Sequence, residues 1–202
     1  MTKRRGLSTS SHANGVKQLS LGQRPRTTDG TQSKALKGRH NSPSMKPLTF
    51  SCTDTLPQPP ESIAGQILDV DRWNSFRGYG PLPGIRSAEF TLRTPQVIGS
   101  RIRVTNTDGS THTEEIIEWA PATRLRLDME DFSPPLSRLA TRFEEVWTFE
   151  RLPDGTRVVR SFTLHPTSAA ARPVLWLISL LLRRAIARNL AEIRTGHGAT
   201  PG

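Results

Sequence analysis

The hydrophobic and polar positions of the chain begin to follow regular periods just after residue 47. Apolar and polar residues alternate in LTFSCT (48–53), which predicts a first strand. The segment LPQPPESIAGQILDV (56–70) predicts a helix, because its prolines can occupy the first turn and its isoleucines fall on one face. A short helix or turn over 69–76 and a glycine-containing loop over 77–85 follow.

Six further segments alternate in the same way and predict strands. They span 85–93, 99–107, 111–119, 123–132, 143–151 and 156–165. Asp108-Gly109 and LPDG (152–155) are sequences typical of hairpin turns. Strands joined in this way form an antiparallel sheet. The predicted fold is therefore α+β, with about seven antiparallel strands in one sheet.

The segment RPVLWLISLLLRRAIARNLAEI (172–193) predicts a long terminal helix, which we expect to cover the concave face of the sheet. Its apolar run is too short for a membrane span, which needs about 20 apolar residues. One face carries an apolar stripe formed by Leu175, Ile178, Leu182, Ile186 and Ile193. Other apolar residues lie off this stripe: Trp176, Leu177, Leu180 and Leu181. Either the first helices and the loop 77–85 cover this second group, or Trp176, Leu177 and Leu181 form a homodimer contact or a membrane-surface contact.

The order of these elements resembles the START-like (SRPBCC) superfamily, and in particular its polyketide cyclase/dehydrase-like branch. The resemblance covers 47–195 and is carried by PQPPESIAGQILDVDRWNSF, VIGSRIRV, EEIIEWAPATRLRL and EEVWTFERLPDGTRVVRSF. It implies the helix-grip fold, in which a curved sheet wraps around the C-terminal helix and encloses a cavity. It also implies a partner, a hydrophobic small molecule or lipid. Fold does not choose between binding and catalysis. We expect non-catalytic binding, with polyketide cyclase/aromatase or dehydratase chemistry as the alternative.

Two carboxylates are candidates for chemistry in such a cavity. Alternation places Glu145 on the apolar face of its strand, and Glu115 on the face that carries Trp119. A carboxylate in an apolar cavity is costly unless it is paired or its pKa rises, so both are candidate general acids or bases. Solvation or pairing with arginine is the competing interpretation. We expect the cavity lining to comprise Trp73, Tyr79, Trp119, Met129, Trp147, Arg160, Phe162, Leu175, Ile178 and Leu182.

The register of the last hairpin decides whether Arg160 shares the cavity with Glu145. Matching the apolar faces of the two strands pairs Phe149 with Arg160, which directs Arg160 inward. A bulge at Gly155 would shift the register by one residue and direct Arg160 outward. We favour the apolar match.

Other chemistry finds no support in the sequence. The five histidines are scattered, and neither HExxH nor CxxC occurs, so we expect no metal and no cofactor. The nucleophile motif G-x-S-x-G is absent. The single cysteine, Cys52, cannot form an internal disulfide and favours a reducing, cytoplasmic location.

The charge of the chain is concentrated at its N-terminus. Residues 1–46 hold ten basic residues and one acid, so they carry +9 of the net charge of +10. Their polar composition predicts a disordered basic tail, solvated or bound to an anionic surface. No aromatic residue interleaves these charges, so we expect no specific nucleic-acid partner. A start at Met45 is a further hypothesis, in which residues 1–44 are not part of the native product. Residues 196–202 are expected to be flexible.

Overall fold

The structure, a computed structural model, describes residues 45–196. The predictions for the N-terminal tail, apart from its last two residues, and for residues 197–202 lie outside this range. The elements are β1 (Leu48–Leu56), α1 (Pro60–Leu68), a 3₁₀ helix (Val70–Ser75), β2 (Ile85–Leu92), β3 (Arg101–Asn106), β4 (Thr111–Ala120), β5 (Arg124–Glu130), a second 3₁₀ helix (Leu136–Arg138), β6 (Ala140–Leu152), β7 (Gly155–Pro166) and α2 (Arg172–Arg194).

The seven strands form one antiparallel sheet in the order β1-β7-β6-β5-β4-β3-β2. Every pair of strands that is consecutive between β2 and β7 is adjacent in the sheet, as the hairpin sequences predict. β1 completes the sheet by pairing with β7. The predicted α+β helix-grip fold is confirmed.

Helix α2 lies mainly against β1 and β7, at one side of the sheet. It buries one face, formed by Leu175, Ser179, Ala185, Ile186 and Leu190. The inner faces of the more distant strands are therefore not all in contact with α2. This asymmetric packing leaves space between the helix and the sheet, and that space is the candidate site.

The turn between β6 and β7 sets the register of the strands that carry Glu145 and Arg160. Leu152 pairs with Gly155, so only two residues form the loop. A Cβ atom on Gly155 would lie 2.2 Å from the carbonyl oxygen of Leu56, which explains why glycine is required there. The predicted pairing of Phe149 with Arg160 is wrong by two residues, because the tight turn pairs Trp147 with Arg160. A shift of two preserves the faces, so Arg160 still points inward.

Candidate functional site

The cavity between the sheet and α2 consists of two adjoining chambers. The larger, of about 430 Å³, is lined mostly by apolar side chains from α2, the inner strands and the segments 81–83 and 132–139, and we call it the apolar chamber. The smaller, of about 190 Å³, lies beside α1, the first 3₁₀ helix and the end of α2, and we call it the polar chamber. Both are lined by Phe76, Ile85, Glu114, Glu145 and Arg160.

A buried ion pair stands where the two chambers meet. Arg160 donates from Nε to Oε1 of Glu145 at 2.7 Å, and its Nη2 lies 2.6 Å from the same oxygen. Its Nη1 donates to Oδ1 of Asn189 at 2.8 Å, which ties the sheet to α2. The guanidinium also lies over the ring of Trp147, 4.0 Å from the ring centroid. Only 5% of Glu145 and 7% of Arg160 are exposed. The pair is thus held from several sides and is almost fully buried.

Burial raises the pKa of Glu145 above its ordinary value of 4.5. The charge of Arg160 opposes this rise without reversing it, and the negative charge of Glu114 adds to it. Raised carboxyl pKa values in a cavity are typical of groups that exchange protons with a ligand, although structural ion pairs perturb them as well. Glu145 is therefore a buried cavity carboxylate with a raised pKa, and it stays a candidate acid.

The second acid in the cavity is Glu114, and the prediction that Glu115 faces inward is wrong. Glu115 accepts a hydrogen bond from Nε of Arg101 at 2.8 Å on the outer face of the sheet. Glu114 is 5% exposed and its Oε1 lies 3.1 Å from Nε2 of His112. The register of β4 against β5 shifts between Ile116 and Glu118. Residues after this irregularity point to the opposite face from the one that alternation predicts. Glu115 and Trp119 therefore do not share a face, although the prediction assumed that they do.

The observed pairing of β3 with β4 places Glu114 on the inner face of the sheet. Ile102 and Val104 face inward, and they pair with Glu114 and His112 respectively. Residues that pair directly across antiparallel strands share a face. The Asp108-Gly109 turn alone does not identify Glu114, because a two-residue loop there would pair Ile102 with Glu115, whereas the observed partner of Ile102 is Glu114.

Seven of the ten residues expected to line the cavity do so. Met129, Phe162, Ile178 and Leu182 line the apolar chamber, Trp73 and Trp147 line the polar chamber, and Arg160 lines both. The other three line neither chamber. Tyr79 is 38% exposed in its loop, with Arg184 5.8 Å from its ring centroid. Leu175 is fully buried in the core, and Trp119 lies beyond the β4 irregularity.

Several lining residues were not predicted from the sequence. In the polar chamber these include Gln58 and Asn189, which come from a loop and from α2. A single polar residue in a loop or on a helix gives no periodic pattern, so neither had a signal in the sequence. In the apolar chamber Leu177 and Leu181, which had no assigned partner, are lining residues.

The mouth of the apolar chamber carries exposed apolar side chains from the first half of α2. Val174 and Leu177 line the chamber and are 48% and 52% exposed. Trp176 and Leu180 lie beside them and are 54% and 37% exposed. No helix within residues 45–196 combines the length and hydropathy needed to span a bilayer. Within the same range, no three or more His, Cys, Asp or Glu side chains are placed so that they could hold a metal ion together.

Comparison with known proteins places these features in context. A family model described as polyketide cyclase / dehydrase and lipid transport matches residues 47–196. Comparison with curated protein sequences gives no match.

Several solved structures share the fold. TTHA0849 from Thermus thermophilus is 20% identical with a TM-score of 0.56, and the match covers 76% of this chain and 100% of that one. The di-domain ARO/CYC StfQ from the steffimycin biosynthetic pathway is 16% identical with a TM-score of 0.57, covering 74% of this chain and 50% of StfQ. Ara h 8.0201 is 19% identical with a TM-score of 0.51, and the match covers 72% of this chain and 99% of that one.

Proposed function

Because the chain belongs to the polyketide cyclase / dehydrase and lipid transport family, we propose that it binds a hydrophobic small molecule or lipid and releases it unchanged. The apolar chamber of about 430 Å³ is the observation that carries this proposal. Its size is within the range of ligand-binding cavities, and its lining is mostly apolar with few polar groups, as in most small-molecule sites. Binding would gain free energy by removing the apolar surfaces of ligand and protein from water.

The test uses the neutral fluorescent probe N-phenylnaphthylamine and a substitution that fills the chamber. Ile178→Trp places a large ring in the apolar chamber, so we expect probe affinity to fall about tenfold, the equivalent of roughly 1.4 kcal/mol. Leu180→Trp is the matched control, because Leu180 lies on the same helix outside the chamber. Equal affinity of the two variants would refute the assignment of the site. Native mass spectrometry of the purified chain would identify a co-purified ligand.

Catalysis on a polyketide is the second candidate, and it is favoured by the raised pKa of Glu145 in the cavity. In this function Glu145 takes a proton from the carbon between two carbonyl groups, and the enolate that forms attacks another carbonyl carbon of the same chain. The π bond of that carbonyl breaks, and its oxygen takes the proton back from Glu145. Glu114 replaces Glu115 as the second candidate general acid or base, because Glu114 is the acid that faces the cavity.

A poly-β-carbonyl thioester is the substrate class to assay, with cyclised or dehydrated products measured by mass spectrometry. Glu145→Gln should abolish turnover, whereas Glu115→Gln should not. Absence of turnover by the wild type would reject this candidate.

The exposed apolar residues at the mouth favour an anionic membrane surface as the source of the ligand. Val174, Trp176, Leu177 and Leu180 are all exposed on α2. The helix also carries four arginines before its first acid, Glu192. Exposed apolar side chains with flanking basic residues are complementary to anionic headgroups and the acyl boundary beneath them. A homodimer would cover the apolar residues but would place the arginines of both copies near one another.

Sedimentation with phosphatidylcholine vesicles, with and without phosphatidylserine, tests this contact. Trp176→Glu should reduce binding to the anionic vesicles several-fold. Leu152→Glu is the control, since Leu152 is 37% exposed on the turn after β6, a separate part of the sheet. The full chain is used throughout, so the basic tail contributes equally to every sample. A concentration-dependent dimer that Trp176→Glu dissociates, without vesicle binding, would replace the membrane with a second copy.

A cytoplasmic location belongs to the same proposal. Cys52 is the only cysteine of the chain, and its thiol is free and buried. Such a thiol is typical of a reducing compartment. Fractionation of native cells, with the protein detected in the cytoplasmic fraction, is the direct measurement.

A further inference from the structure

Two buried side-chain atoms within residues 45–196 make no hydrogen bond, and both belong to residues that line the polar chamber. They are Oε1 of Gln58, an acceptor, and Nε1 of Trp147, a donor. Trp147 is only 6% exposed. Its N–H favours the charged form of Glu145, yet by distance and angle it makes no hydrogen bond to that carboxylate or to any other group. A buried polar group without a partner costs free energy, so two in one small chamber indicate a site completed by another molecule.

The charges around the polar chamber restrict what that molecule can be. Two acids, Glu114 and Glu145, and two bases, Arg72 and Arg160, line it. Glu145 and Arg160 neutralise each other through their ion pair. Arg72 is paired with Asp69, and Glu114 lies against His112. An anionic group would therefore lose its hydration without an unpaired cation in the chamber. The groups that remain free are a neutral donor and a neutral acceptor.

A hydroxyl group matches this pair, since it donates one hydrogen bond and accepts others. We propose that the polar chamber binds the hydroxyl-bearing end of an uncharged amphipathic ligand, whose hydrocarbon body occupies the apolar chamber. The hydroxyl donates to Oε1 of Gln58 and accepts from Nε1 of Trp147. Because Glu145 and Arg160 line both chambers, the ligand extends past the ion pair from one chamber into the other. This inference rests on the proposed binding function and adds the chemical class of the ligand.

Calorimetric titration of the full chain with dodecane, dodecanol and dodecanoate tests the inference, because these probes share a chain and differ at one end. We expect dodecanol to bind about three- to tenfold more tightly than dodecane, the range of one net hydrogen bond, and more tightly than dodecanoate. Gln58→Leu should remove the advantage of dodecanol over dodecane. Gln96→Leu is the matched control, because Gln96 is exposed in the loop between β2 and β3 and lines neither chamber.

The possible results separate this inference from the proposed function. Equal binding of dodecanol and dodecane, or an advantage that persists in Gln58→Leu, would overturn the hydroxyl site while leaving hydrophobic binding intact. Tightest binding of dodecanoate would overturn it in favour of an anion site. Failure of all three probes to bind would count against both. Thermal unfolding checks that each variant folds. If Gln58→Leu does not fold, Trp147→Phe repeats the test, because it removes the donor and keeps an aromatic ring beneath Arg160.

Discussion

Glu144 and Glu145 are adjacent on β6, and their side chains point to opposite faces of the sheet. Glu145 lies in the cavity against Arg160. Glu144 lies on the outer face, where its Oε1 accepts a hydrogen bond from Nε2 of His165 at 2.7 Å. Arg142 and Arg126 are also within ion-pair distance of Glu144. The alternation of a strand thus gives two identical side chains different surroundings.

These surroundings shift the two pKa values in opposite directions. For Glu145, burial dominates and the pKa is raised. For Glu144, burial also acts to raise the pKa, but the hydrogen bond from His165 and the charges of Arg142 and Arg126 together outweigh it, so the pKa is lowered. A raised carboxyl pKa stabilises the folded state at low pH, and this stability is lost as pH rises through the folded value. A lowered pKa gives stability that is lost as pH falls through the folded value.

Unfolding by urea across pH should therefore separate Glu145→Gln from Glu144→Gln. The free energy of unfolding of the wild type minus that of Glu145→Gln should decrease as pH rises above the ordinary carboxyl value of 4.5. The same difference for Glu144→Gln should decrease as pH falls below 4.5. Each variant serves as the control for the other, because the change is the same and the positions are adjacent. Slopes of the same sign would contradict the assignment of the two environments.

The limits of prediction from sequence are clearest for the two adjacent acids of β4. Alternation from Trp119 placed Glu115 inside, whereas alternation from Ile116 would have placed Glu114 inside. The register shift between Ile116 and Glu118 makes these two choices incompatible. A bulge depends on the packing of a partner strand and leaves no fixed mark in the sequence. The apolar face of β6 has no such shift near Glu145, so alternation placed that residue correctly.

At the scale of elements, the hairpin turns and apolar periods predicted which segments form strands and helices. The Asp108-Gly109 turn and the β6–β7 turn both occur where the sequence placed them. The register of β6 and β7 was wrong by two residues because the length of the loop, and not its location, sets the pairing. The two chambers could not be predicted, since their lining comes from elements distant in sequence whose relative placement depends on how α2 packs.

Two glycines test how the elements constrain the backbone. Gly65 lies exposed within α1, and a Cβ atom there would meet nothing within 4 Å. Gly155 has φ of +146° and no space beside the carbonyl oxygen of Leu56. Gly65→Ala should stabilise the protein by about 0.5–1 kcal/mol, because alanine loses less conformational entropy in a helix. Gly155→Ala should destabilise it by roughly 1–3 kcal/mol. Urea unfolding measures both, and a stabilising Gly155→Ala would show that the β6–β7 turn is described wrongly.

At the scale of the whole molecule, charge and binding chemistry belong to different parts of the sequence. The family match and both chambers lie within residues 47–196. Residues 1–44 carry nine basic residues and one acid, and so most of the net charge of +10. The ligand chambers and most of the net charge thus lie in separate segments of the sequence. Removal of the basic tail should therefore leave ligand binding intact.

Deletion of residues 1–44 tests this separation. We expect the shortened chain to keep its unfolding midpoint and its affinity for N-phenylnaphthylamine, because every element and lining residue described in the structure is retained. It should elute from heparin at lower salt, since electrostatic binding to a polyanion weakens as basic residues are removed. The full-length chain, measured beside it at several salt concentrations, is the control. Loss of probe affinity on deletion would show that the tail contributes to the ligand site, and an unchanged heparin profile would show that its charge is not available to partners.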